Sequence, residues 1–165
     1  MSFWVYTSYF VAALWLELVF GPLLSIGSSK PSLLLLTVLL LALRHTPPWI
    51  FILGTLAGLA RDLFSHGLLG LYGISFFVTV ILARWLGLMV YERNALFTFV
   101  AIGALATIEG GVALFLMNWM DPTVPWWGWL GTRVIPLALF HAVLAIPVAW
   151  AQEKLENRFQ LVQDN

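Results

Sequence analysis

The stretch Gly-Thr-Leu-Ala-Gly-Leu-Ala-Arg-Asp-Leu-Phe-Ser-His-Gly-Leu-Leu-Gly-Leu-Tyr-Gly, residues 54–73, sets an adjacent Arg61-Asp62 pair between two glycine-rich apolar segments. In a chain that is 61% hydrophobic and only 10% charged, such a pair belongs either at a membrane surface or in a protein-lined recess. The mean hydropathy of +0.93 carries the same message, since an ordinary soluble domain has roughly 25% charged residues. The sequence therefore reads as an all-α polytopic membrane protein whose 165 residues are nearly all used in crossing the bilayer.

Composition also removes several functions. A formal net charge of zero offers no basic patch able to neutralise a run of phosphates, so nucleic acid is not an expected partner. Without cysteine there is no disulfide, thiolate metal site or cysteine nucleophile. The three histidines are not spaced as metal ligands. No Ser-His-Asp order, Gly-rich phosphate loop with Lys, or carboxylate pair beside a nucleophile is present. The sequence-based expectation is a non-enzymatic protein with no catalytic residues, no cofactor and no metal.

Outward from the central stretch, six hydrophobic segments are expected, at about residues 3–24, 32–43, 49–63, 67–90, 95–120 and 127–151. The first contains no Lys or Arg in residues 2–10 and is interrupted by Glu17, which favours a retained helix over a cleaved signal peptide. The second and third are short, and the second covers only roughly 18 Å of helix against a core of about 30 Å. Joined through Pro47-Pro48, they form either a re-entrant hairpin or two short spans, and two spans is the preferred reading. Residues 1–151 form the transmembrane domain and 152–165 an amphipathic cytoplasmic tail, with Leu155, Phe159 and Leu161 or Val162 at helical spacing.

Six spans place both termini on one side. An inside N-terminus puts Arg44, Arg93, Lys154 and Arg158 in the cytoplasm and Arg84 near the inner end of its segment, leaving Lys30 and Arg61 outside. The positive-inside rule favours that orientation, and Trp126, Trp127 and Trp129 then sit at the outer headgroup level.

Depth along these segments collects Glu17, Arg61, Asp62, Glu109 and Arg133 in the outer half. A charge at that depth needs a partner, so Arg61 or Arg133 is expected to neutralise Asp62, Glu17 or Glu109. Such groups act as static pairs that fix helix registry, line a ligand or transport site, or snorkel to the interface. His141 reads as a hydrogen-bonded packing residue. Gly54 and Gly58 form a small-x-x-x-small face, as do Gly103, Thr107 and Gly111, while Gly67, Gly70 and Gly73 make a smooth stripe at the start of segment four.

The order Gly54-x-x-x-Gly58-Leu59-x-x-Asp62, followed by Gly67-x-x-Gly70-Leu71-Tyr72-Gly73-x-Ser75-Phe76, resembles the signature of the rod shape-determining MreD family. Size and the two short spans before the acidic residue extend that resemblance over almost the whole chain, whereas Glu17, Glu109 and Arg133 match no part of it. The resemblance implies an inner-membrane component of the bacterial cell-wall elongation complex that binds MreC and works near MreB, RodA and a class B penicillin-binding protein. It also implies likeness in fold to the substrate-binding subunits of energy-coupling-factor vitamin transporters. A small-molecule-binding transporter subunit is therefore the alternative, with an outer pocket near Asp62, Arg61 and the tryptophan loop.

Overall fold

The computed structural model describes residues 3–20, 31–44, 49–65, 69–89 and 94–163, with side chains described for all of these except 3–6, 20, 65 and 155–163. Lys30, His66, Gly67, Arg93, the Pro47-Pro48 turn and the Arg158 side chain lie outside the described residues.

Among the described residues the chain is all-helical. The helices are α1 (Phe3–Phe20), α2 (Leu33–Arg44), α3 (Ile50–Ser65), α4 (Leu71–Met89), α5 (Ala95–Met120), a short α6 (Trp126–Trp129) and α7 (Ile135–Gln163). One π-helical turn, Leu130–Val134, joins α6 to α7. Three helices are long and apolar enough to cross a membrane: Leu71–Met89, Ala95–Met120 and the continuous run Trp126–Lys154. Thr7–Val19 and Leu33–Arg44 are shorter apolar helices. This is the architecture of a helical membrane protein.

The shortest apolar helix lies at the centre. Every residue of α2 from Leu34 to Leu43 is buried, as expected for a helix that is apolar all round. It is enclosed by α1, α3, α4 and α7, with Tyr9, Ala13, Ile50, Phe76, Val80, Ala83, Ala145 and Ala149 among the core residues around it. Large apolar side chains point outward instead on the longer helices, including Phe115, Trp119, Leu139, Val143 and Trp150. An apolar exterior around an apolar core is what a lipid solvent permits, because lipid exerts no hydrophobic drive to bury those side chains.

Close helix approach depends on glycine at a few places. A Cβ on Gly58 would fall 2.6 Å from the Tyr72 carbonyl carbon and 2.7 Å from Gly73 Cα, both backbone atoms of α4. A Cβ on Gly54 would lie 2.7 Å from Val80 Cγ2, so the expected Gly54-x-x-x-Gly58 face is the seam between α3 and α4. The face expected on α5 needs correction. Gly111 has nothing within 4 Å of an added Cβ, whereas its neighbour Gly110 would meet Val134 Cγ1 at 2.6 Å. Gly87, not singled out in the sequence, packs against the α2 backbone, with Leu43 O at 2.6 Å from an added Cβ.

Two boundaries also differ. Helix α4 begins at Leu71, and Gly70 sits in the turn before it with φ +94°, a conformation that glycine adopts without strain. Helix α7 runs through residue 151 to Gln163 without a break, so the expected tail continues the last membrane helix. At this end Tyr9 donates to the Gln152 carbonyl at 3.3 Å, and Arg44 pairs with Glu153 at 3.8 Å.

Candidate functional site

Glu17, Arg61 and Asp62 lie near the ends of α1 and α3, close to the starts of α2 and α4, while Arg133 precedes α7 and Glu109 lies inside α5. A helix start leaves four backbone N–H groups without intrahelical partners. In a water-poor interior each of those donors needs an acceptor. Two of the acidic side chains supply this need.

Glu17 of α1 reaches the first turn of α2. Its Oε2 accepts from the Leu34 amide at 2.7 Å and from Ser32 Oγ at 3.1 Å. Ser32 Oγ in turn accepts from the Leu35 amide at 3.2 Å, the geometry of a serine N-cap. The Ser32 amide donates to His141 Nε2 at 2.9 Å, while His141 Nδ1 lies 2.9 Å from the Leu137 carbonyl. A donor faces Nε2 and an acceptor faces Nδ1, so the network assigns the neutral imidazole with its proton on Nδ1. His141 is thus the hydrogen-bonded packing residue expected from its position, and it ties α7 to the start of α2.

Asp62, only 2% exposed, serves α4 in the same way. Oδ2 accepts from the Gly70 amide at 2.8 Å and the Gly73 amide at 3.3 Å, and Oδ1 accepts from the Tyr72 amide at 3.0 Å. A carboxylate at a helix N-terminus is favoured both by the free donors and by the helix dipole. Gly73 also admits the Leu59 side chain, whose Cδ2 would stand 3.1 Å from an added Cβ. Asp62, Gly58, Gly70, Tyr72 and Gly73 therefore form one device that closes the α3–α4 hairpin.

The expected neutralisation by Arg61 acts at a distance, since its guanidinium lies within electrostatic reach of Glu109, Glu17 and Asp62. Among the described residues no ion pair within 4 Å joins either arginine to Glu17 or Glu109. Helix starts engage Glu17 and Asp62, whose carboxylates accept from backbone amides. The Arg61 guanidinium lies 4.2 Å from the Tyr72 ring centroid and 5.8 Å from that of Phe76, and Arg133 lies 4.1 Å from the Trp129 ring centroid. Aromatic faces thus hold both cations. Arg84 behaves similarly, 5.0 Å from the Phe51 centroid.

Arg61, Glu109 and Arg133 do face a common space. A cavity of about 170 Å³ opens between α3, α4, α5 and the start of α7, with Tyr72, Trp129 and His141 also on its wall. The π turn shapes one side. Its wider coil ends with the Ile135 amide bonded to the Leu130 carbonyl, and the extra residue rotates the following helix by about 100°. Pro136 follows immediately, and a proline ring excludes the normal approach of the carbonyl four residues earlier. The outcome is Val134 packed on Gly110 and Arg133 at the exposed rim.

Glu109 is 3% exposed, and its Oε1 is buried without a hydrogen-bond partner. Nη1 of Arg61 is in the same condition. Arg61 lies within electrostatic reach of Glu109, Glu17 and Asp62. The cavity thus presents one donor and one acceptor that the protein itself leaves open. The sequence placed Arg61 and Glu109 at similar depth and an outer pocket near Arg61 and the tryptophan loop, but it gave no sign that Tyr72 or His141 would share the wall. Nothing in the sequence said that Glu17 would reach the start of α2. The chain matches no protein-family model, no curated protein and no solved structure.

Proposed function

We propose that this chain is a non-enzymatic membrane component of the bacterial cell-wall elongation complex, resembling MreD, that grips MreC through its membrane helices. In this reading it has six spans, counting α1, α2 and α3 with the three long ones, and a fold similar to the transporter substrate-binding subunits. It lies in the inner membrane with both termini cytoplasmic and works beside MreB, RodA and a class B penicillin-binding protein. One observation carries the reading: the residues that make up the MreD-like motif are spent on architecture. Gly58 admits the α4 backbone, Gly70 makes the turn, and Asp62 caps α4. A motif used to hold a hairpin in one shape suits a protein whose surface is read by another. The apolar flanks of α5 and α7 supply area for a partner helix.

The vitamin-type transporter subunit is the second reading, favoured by the polar-walled cavity near the tryptophans. Its volume of about 170 Å³ ranks it second, because sites for drug-sized ligands measure roughly 300–1,000 Å³. Depletion in the native host tests the first reading. Rods should become round while wall precursors are still made, and the chain should co-purify with a single-span partner. Cells that keep their rod shape would overturn it, and recovery of a tightly held vitamin would replace it with the second.

A further inference from the structure

The cavity beside α5 holds the two buried polar atoms in this half of the molecule whose function the helix caps do not explain. Both His141 nitrogens are occupied, Asp62 and Glu17 are engaged by helix starts, and Arg133 rests on Trp129. Arg61 Nη1 and Glu109 Oε1 remain, on walls of one space. Guanidinium offers only donors, and a carboxylate accepts them. A ligand that satisfies both carries an oxygen acceptor for Arg61, strongest when anionic, and a donor for Glu109, strongest when it is a cationic N–H.

Charge and size narrow the choice. Arg133 adds a second cation at the exposed rim, so the walls carry two positive charges to one negative, which favours an anionic group on the arginine side. At about 170 Å³ the space falls below the roughly 300–1,000 Å³ of sites for drug-sized ligands and suits a small group. Trp129 lies on the wall, and Trp126 and Trp127 are stacked nearby at 3.9 Å between centroids. Tryptophans of this kind mark headgroup level.

We propose that this cavity binds a phosphoethanolamine group, with phosphate oxygens at Arg61 and Arg133 and the primary ammonium at Glu109. The group comes either from a phosphatidylethanolamine headgroup or from free phosphoethanolamine. The site does not depend on the elongation-complex reading, since the same walls would bind the group in a transporter subunit.

Native mass spectrometry of the full chain in detergent, given phosphatidylethanolamine, phosphatidylcholine or phosphatidylglycerol, tests the proposal. The three share a phosphate, but only the first has a primary ammonium, and it should be retained about tenfold more than the others, the value of one charge-assisted contact. Glu109→Gln should erase the preference over phosphatidylcholine, and Arg133→Gln should lower phosphatidylethanolamine retention by about tenfold. The rim position of Arg133 keeps the second variant informative if the first does not fold. A rise in melting temperature with free phosphoethanolamine identifies a soluble source; retention of the lipid without that rise identifies the headgroup. Equal retention of all three lipids with no melting shift overturns the proposal, as does an unchanged preference in Glu109→Gln or unchanged retention in Arg133→Gln.

Discussion

Replacing Asp62 tests the central structural claim, that its carboxylate is the cap of α4. Asp62→Ala removes the acceptor of the Gly70, Tyr72 and Gly73 amides while leaving those donors in a buried site. Hydrogen bonds to a charged group are worth roughly 1.5–3 kcal/mol each. Three of them cannot all be lost at full value, because the first turn of α4 opens to water before the whole helix does. A net loss of about 3–5 kcal/mol is expected, at the upper end for a single substitution. Asp62→Asn keeps one carbonyl oxygen and remains a good capping residue, so it should cost only about 1–2 kcal/mol. Unfolding in mixed detergent and SDS micelles measures both values. Hydrogen exchange then reports the Gly70, Tyr72 and Gly73 amides individually, which should lose protection in Asp62→Ala and keep part of it in Asp62→Asn. A fully stable Asp62→Ala protein with protected amides would refute the capping argument. Equal damage from the two variants would show that the charge matters and the acceptor geometry does not.

Other substitutions separate the remaining contacts. Gly58→Ala drives a methyl into the Tyr72–Gly73 backbone and should destabilise by about 1–3 kcal/mol or more; Gly111→Ala, in open space, should be neutral or stabilising by up to about 1 kcal/mol, both read from the same unfolding assay. Glu17→Ala should cost about 2–4 kcal/mol by exposing the start of α2, and hydrogen exchange at Leu34 should report the loss. In the turn after α5, the Thr123 hydroxyl and amide hold the Asp121 carboxyl below the usual carboxylate range. A depressed carboxylate stabilises the turn above its unfolded pKa and loses that contribution as pH falls through the folded value. Thr123 amide protection should therefore persist below the pH at which an ordinary aspartate titrates and disappear only under stronger acid, and Thr123→Val should move its loss to higher pH.

Helix existence was legible because it follows from composition and length. The run of residues 95–120 contains no charge except Glu109 and emerges as α5 with the expected bounds. The Leu-rich run at 32–43 was visibly shorter than an ordinary span, and its even apolarity fits complete burial. Helix partners were less legible. Depth placed Glu17 and Asp62 among arginines, but periodicity does not reveal which helix starts face a given side chain. Backbone amides leave no mark in the sequence, so the acceptors of those amides were read as partners of the visible cations. Gly110 and Gly111 show the same limit. They are adjacent in sequence yet about 100° apart around α5, and the regular spacing from Gly103 selects one while packing against Val134 selects the other.

The same economy explains why Glu109 stands apart. Glu17 and Asp62 lie near helix ends, where free amides are abundant. Glu109 lies inside α5, where every backbone donor nearby is already used in the helix ladder, and its neighbours on the cavity wall are alanine, glycine and leucine. Mid-helix position therefore removes the local source of hydrogen bonds that satisfies the other two acids. A buried polar atom left in that condition costs about 1–3 kcal/mol, more when charged, and a leucine at residue 109 would avoid the cost. What such a leucine would lose is, among the described residues, the only acidic group on the cavity wall. Glu17 and Asp62 hold helix starts in place, and Glu109, without such a task, faces the space in which the proposed ligand would sit.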